Sequence, residues 1–520
     1  MAITQLLHRA AQTAPTALAT TDGVRELTYR ALRDRAALVA GALRGLDVER
    51  GDRVGVLASN STEVVELILG AAWAGAVISP VNTRWSTGEI AYQLRDAGIR
   101  VLFVDAARTG VVAELGSRFP DLRVVVMPSL HRDAGPAVAD AHEYAALLAS
   151  ASAVPDLRSP DDDLAVLMYT GGTSGVPKGV MLSHRQLLSS ALGALASSGL
   201  SNRPAVVLHA GPLFHMSAFG GLLQHLAICS THVLPGDAPV DRLPEIIERH
   251  RVTALSLVPT TIAWLLDEAE QRGRDISSLR QLSYGGAPMP EALQARLLDR
   301  LPKCRLRQGY GMTELAPVAT VLRDEDLRDP AHPTRRLSVG RAALHVELRI
   351  VDAGGNDAPT GETGEVLVRG DNVMMGYWNK PEATEQALRG GWMHTGDLGY
   401  LDDAGYLFLV DRLKDMIISG GENVYSAEVE RALSQHPSVR QCAVIGVPDT
   451  TWGQRVHAIV VLEADSEVSV EELRTFTSGL IAGYKTPKTV EFVSDLPVSS
   501  VGKVLKRVLR ESHRAADPAP

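Results

Sequence analysis

The chain has 520 residues, 45% of them hydrophobic and 22% charged, a balance that suits more than one folded domain and excludes a wholly disordered, collagen-like or disulfide-framework protein. Its 52 Lys and Arg against 61 Asp and Glu give a formal net charge of −9, which offers no general electrostatic grip on nucleic acid or anionic membrane. Three cysteines, Cys229, Cys304 and Cys442, lie far apart without metal-type spacing and fit a reducing cytoplasm.

The N-terminus lacks the basic and then apolar pattern of a secretory signal, and the most apolar early stretch, Leu67 to Val81, is too short and Gly-rich to be an integral membrane segment. Helical patterns at Leu27–Leu43 and Thr62–Ala74 alternate with short apolar runs at Val54–Ala58, Val101–Val104 and Arg123–Met127. That alternation predicts an α/β fold of helix-covered sheets. Residues 149–163 read as a surface connection into an apolar strand, Leu164–Tyr169, and a second polar stretch runs from Arg323 to Arg336. From Gly340 to Val410 short β-like runs, His345–Val351, Glu365–Arg369 and Gly405–Val410, predict a β-rich subdomain. The tail predicts a small α+β domain. It has strands at Gln441–Val447 and Val456–Leu462, a helix opened by the capping box Ser469–Glu472, a basic helix near Val504–Arg510, and a frayed end from Ala515 to Pro520.

The most informative stretch is Tyr169 to Val180, a Gly- and hydroxyl-rich loop directly after an apolar strand. Gly171, Gly172 and Gly175 let backbone amides approach a polyanion, Thr170, Thr173 and Ser174 supply hydroxyl donors, and Lys178 supplies charge, so the loop suits a triphosphate. It is not a Walker A loop, because Lys178 is preceded by Pro177 and followed by Gly179. Alone, it reads equally as a flexible turn. It is accompanied, in order, by Tyr284 to Ala287, Gln308-Gly-Tyr-Gly-Met-Thr-Glu314, His394-Thr-Gly-Asp397, Asp411-Arg-Leu-Lys-Asp415, Gly420-Gly-Glu-Asn423 and Gly502-Lys503.

In this order and at these separations the motifs resemble the adenylate-forming superfamily over nearly the whole chain, and the overall look is most similar to bacterial fatty-acyl-CoA synthetases. The resemblance implies an AMP-forming acid–CoA ligase: ATP and a carboxylic acid give an acyl-adenylate, and the acyl group then passes to the thiol of CoA. It implies a large domain to residue 411, a hinge at 412–415 around Lys414, and a mobile C-terminal domain over 416–520. Lys503 would bridge carboxylate and phosphate; judged without the resemblance it reads as a solvated lysine beside Lys506 and Arg507. Glu314 would help hold Mg²⁺ and Thr313 would donate to phosphate. Gly285, Gly286 and Ala287 with Tyr310 would wall the adenine, flanked by Gln308, Gly309 and Gly311, while Asp397 would accept both ribose hydroxyls beside Arg412. Gly420, Gly421 and Glu422 would line the CoA tunnel, and His215 would stand beside the acid carboxylate near Ser256–Thr261.

Departures from the family pattern are Gly171, Ser174 and Ser426, the last expected to N-cap a helix at Ala427–Leu433. His209, His225 and His232 accompany His215, with no carboxylate or Cys at zinc-ligand spacing. A carrier protein, an amine or a small oxyacid such as nitrite as the partner in the reaction, and a non-catalytic nucleotide-binding regulator, are the alternative readings. The expected state is monomer or homodimer.

Overall fold

The computed structural model describes residues 1–130, 133–171, 176–199, 203–498 and 504–514, and divides into two compact units, 1–347 with 368–393, and 348–367 with 394–520. Among the described residues, no helix is long and apolar enough to cross a membrane.

The first unit is α/β, and among its described residues it carries two large sheets, of nine and eight strands. In the eight-stranded sheet the inner strands Val77–Pro80, Arg53–Leu57, Val101–Asp105 and Arg123–Met127 are parallel, and their near-continuous apolar runs follow from burial on both faces. The helix Thr62–Ala74 is buried at every position. Ser61 caps its start by accepting from the Val64 amide, and Gly75, at φ 73°, ends it. The expected helix at Leu27–Leu43 begins instead at Tyr29, because Glu26–Thr28 is a strand and the extended Thr28 becomes the cap. The nine-stranded sheet runs Val206–Leu208, Ala254–Leu257, Gln281–Gly285 and Arg305–Gly311 in parallel, then turns antiparallel at Val318–Leu322.

The stretch from Gly340 to Val410 is β-rich as expected, but it is shared between the units. Gly376–Tyr377 joins the eight-stranded sheet opposite Met181 and Val180, and Trp378 donates to Gly179 O (2.7 Å) and, through Nε1, to Asp96 O (2.9 Å).

In the second unit the hairpin Val439–Asp449/Gly453–Leu462 alternates its faces. Val444, Val456, Ala458 and Val460 pack with Val429, Leu433 and Leu473 of two helices; Ala443, Ile445, Ile459 and Val461 pack with Leu509 of the last one. That last helix runs from Lys506 to Arg514. Lys506 is ion-paired to Glu430 at 2.6 Å, and Arg510 pairs with Asp415. Ser426 is the first residue of the helix Ser426–Leu433 and not its cap; its hydroxyl donates to Asp411 Oδ2 (2.8 Å), and that same oxygen accepts from the Ala427 amide (3.3 Å). The charged acceptor takes the place the hydroxyl was expected to fill.

Candidate active site

The glycine- and hydroxyl-rich loop joins two antiparallel strands of the eight-stranded sheet, Leu164–Thr170 and Lys178–Ser183, with Thr170 opposite Lys178. Thr170 is half-buried and Gly171 exposed, and an added Cβ at Gly171 would meet nothing within 4 Å. Gly172, Thr173, Ser174 and Gly175 lie outside the described residues, as does Lys503. At the base of the loop the Tyr169 hydroxyl donates to Asp96 at 2.6 Å, which ties the strand end to the helix Thr87–Ala97.

Lys178 lies over the ring of Tyr377, Nζ 4.8 Å from its centroid, and the Tyr377 hydroxyl donates to Glu314 Oε1 at 2.8 Å. The structure thus brings together two motifs that are 136 positions apart in sequence, through a residue that sequence reasoning missed. Burial and the neighbouring Glu314 push the Tyr377 phenol well up, so it stays a proton donor at neutral pH. Glu314 is buried in the short turn Thr313–Leu315, with its carbonyl accepting from the Met374 amide (2.8 Å), while Thr313 is half-buried beside it. Tyr377 carried no sequence signal, lying outside the short β-like runs between Gly340 and Val410; its contact with Glu314 is tertiary, and no local spacing encodes it.

The parallel register sets Gly285 beside Gly309 and Tyr284 beside Gln308. A Cβ at Gly285 would stand 2.3 Å from Gly309 O, so only glycine permits this approach. Gly286 has φ 78°, and a Cβ at Gly311 would fall 1.8 Å from Pro317 O. At Gly309 the space is open. Gln308 and Tyr310 are buried and Ala287 half-buried, so the expected adenine walls stand at adjoining strand ends of one sheet.

His215 immediately precedes the helix Met216–Ala227, half-buried, its ring 4.6 Å from that of Phe214. Its approach is pinned by Asn60, another residue sequence reasoning missed, which donates to His209 O and Gly211 O (2.8 Å each) and accepts from the Leu213 amide (2.9 Å). His209 and His232 stack and share a 2.8 Å hydrogen bond, and burial pushes His209 down to about 4.

In the second unit Asp397 and Arg412 are cross-strand partners, with Nε 3.1 Å from Oδ1. Asp397 is buried, its amide donates to Thr395 Oγ1 (3.1 Å), and the Leu413 amide closes the turn onto Gly396 O (2.9 Å). Lys414 follows, its ammonium held below the ordinary lysine range by desolvation and then by Arg412. Gly420 and Gly421, at φ 63° and 85°, form the two-residue turn between strands Ile417–Ser419 and Glu422–Val424, a geometry that requires positive φ at both positions. A Cβ at Gly420 would stand 2.9 Å from the Trp452 ring.

Residues 7–378 match the AMP-binding enzyme family model, and residues 428–503 match the AMP-binding enzyme C-terminal domain. The chain is 40% identical to a feruloyl-CoA synthase of an Amycolatopsis species over 96% of this chain and 97% of that one. It is 35% identical to a long-chain-fatty-acid–CoA ligase of Mycobacterium tuberculosis over 95% and 94%. Its fold matches that of ATP-bound MatB from Rhodopseudomonas palustris with a TM-score of 0.87 and 30% identity, covering 99% of each chain. With its motifs in family order and both family domains matched, the chain belongs to the AMP-binding enzymes of the adenylate-forming superfamily.

Proposed function

We propose that the protein is an AMP-forming acid–CoA ligase. An oxygen of the acid's carboxylate attacks the α-phosphorus of ATP, the bond to the β-phosphate breaks, and pyrophosphate leaves. The CoA sulfur then attacks the acyl carbon, AMP departs with the bonding pair, and the thiol proton is released. The first step joins two anions, so it needs cations and donors fixed around the phosphates.

The observation that carries this reading is the line Lys178, Tyr377, Glu314, which brings a cation from the glycine-rich loop and a buried carboxylate to one place. Lys178 and the Thr170 hydroxyl serve the phosphates in this reading, with Thr313 as a further donor. Glu314 offers the hard oxygen ligand that magnesium prefers, with Tyr377 orienting it; the ion, when bound, neutralises phosphate charge. Asp397, an acceptor-only group paired with Arg412, takes the ribose hydroxyls. The Gly285–Ala287 strip and Tyr310 receive the adenine, His215 stands by the carboxylate, and Lys503 supplies the late cation. Lys414 serves as pivot, and Gly420 to Glu422 line the way for the pantetheine arm.

The test is pyrophosphate exchange across a panel of acids, followed by product identification with CoA present. Exchange with at least one acid and its CoA thioester are expected; silence across the panel, with active control enzymes, overturns the reading. Lys503→Ala should reduce exchange by two orders of magnitude or more while sparing thiolysis of a preformed adenylate, because its role belongs to the first transition state alone. Unchanged exchange in that variant removes Lys503 from the mechanism.

A further inference from the structure

Three neighbouring parallel strands of the first unit align Ser256 with Ser283 and Ser283 with Arg307. Residues two apart on a strand share a face, so this polar row lies on the same face as Gly285 and Gly309, about 7 Å along the strands. Arg307 Nε donates to Ser283 Oγ at 3.1 Å, and Nη2 reaches Gln224 Oε1 at 3.4 Å on the helix Met216–Ala227. That helix therefore reaches the Arg307 end of the row, while Ser256 at the other end is exposed. It also covers the far end of the strand, where a Cβ at Gly220 would stand 2.8 Å from Pro317 Cδ.

Between those two contacts the packing is incomplete. Gly221 lies one turn before Gln224, and a Cβ there, as at Gly309, would meet nothing within 4 Å. Ser283 and Arg307 keep part of their surface accessible although they stand on inner strands beneath a helix. The open space at Gly309 lies on the strand face that carries the guanidinium, and a trough from this glycine to Arg307 is the path the acid would take.

Arg307 is unusual in its company. Among the described residues no carboxylate lies within ion-pair distance of it, and burial pushes its pKa down to about 10. The nearby His225 is pushed down to about 3 by burial, with His209 and Arg307 adding to the effect, so it stays neutral. A positive charge in such a place costs several kcal/mol unless an anion or strong acceptors meet it. Two neutral oxygens, of Ser283 and Gln224, only partly do so.

We infer that Arg307, with Ser283, binds the far end of the acid, and that the acid activated here carries an oxygen acceptor there: a hydroxyl, a phenolate or a second carboxylate. This rests on the ligase reading above and deepens it. A plain alkyl chain or unsubstituted ring pushed to the end of the trough would cover the guanidinium and leave it without an acceptor, a penalty that selects against such acids.

The test compares paired acids in pyrophosphate exchange on the full chain: 4-hydroxycinnamate against cinnamate, and adipate against hexanoate. The oxygen-bearing member should be favoured in kcat/KM by tenfold or more in at least one pair. Arg307→Met should erase that ratio by raising KM for the oxygen-bearing acid, with the KM for ATP unchanged, and Arg307→Lys should restore part of it. Ratios near one in both pairs for the wild type overturn the inference, and need no variant to fold; so does an Arg307→Met enzyme that keeps the preference. Exchange without preference defeats this inference alone, whereas no exchange with any acid defeats the ligase reading too.

Discussion

Gly285 and Gly309 are cross-strand neighbours with opposite demands. A Cβ on Gly285 would drive into the Gly309 carbonyl at 2.3 Å, and backbone on an inner strand cannot yield without opening the sheet. A Cβ on Gly309 would enter open space. Gly285→Ala should therefore destabilise the protein by about 1–3 kcal/mol, the cost of overpacking a closed site, and lower affinity for ATP. Gly309→Ala should leave the melting temperature within about 1 °C and change the kinetics of adenylation. Thermal melts beside exchange kinetics check the pair, and equal destabilisation by both substitutions would refute the assignment of open space. The sequence marks both glycines but not which of them is structural, because a motif records residue types and not what stands opposite them. The motif marks Glu314 as a candidate ligand, while nothing local marks Tyr377, 63 positions later, whose hydroxyl donates to that carboxylate.

At the scale of elements, Asp411 shows how one carboxylate organises a junction. It ends the strand Leu407–Arg412 region, receives the Ser426 hydroxyl at 2.8 Å and the Ala427 amide at 3.3 Å, and so satisfies one of the orphan donors that every helix start presents. Asp411→Ala removes both contacts and should cost about 1–2 kcal/mol of stability, as loss of a good cap does, whereas Ser426→Ala should cost less because the carboxylate can still take the amide. Urea melts of the two variants test the order, and a larger loss from Ser426→Ala would return the capping role to the hydroxyl. Local signals were read well where the chain supplies them locally: the Thr62–Ala74 helix and the Ser469–Glu472 capping box occur as the sequence predicts. The strand Arg123–Met127 does so too. The misses share a cause. Ser426 and the 368–393 segment are decided by partners far along the chain, Asp411 for the one and the Lys178–Ser183 strand for the other, and propensity carries no such information.

At the scale of the whole molecule, the alternation of helical and apolar runs made the α/β class legible, and motif order made the chemistry legible, but neither reveals how many titratable groups the fold buries uncharged. His209 and His184 are pushed down to about 4 and His225 to about 3, each first by burial, and His232 is lowered likewise. An unfolded chain titrates its histidines near 6.5. Between that value and the lower folded ones, the unfolded state takes up protons that the folded state refuses, so stability must rise with pH across this window. The contribution is complete above about pH 6.5 and is lost as the pH falls towards 4. His184, His209 and His225 each weaken the fold by about 2 kcal/mol by pH 5, since 1.5 pH units at 1.36 kcal/mol each separate that pH from 6.5. The melting temperature should therefore be nearly level between pH 8 and 7 and drop steeply between pH 6.5 and 4.5. His225→Gln keeps a group able to hydrogen-bond Ser230 but takes up no proton in the unfolded state, so its drop between pH 7 and 5 should be smaller than that of the wild type, whatever its starting stability. Melts of both proteins over that range decide the matter, and an equal drop would mean that His225 is not held neutral by the fold.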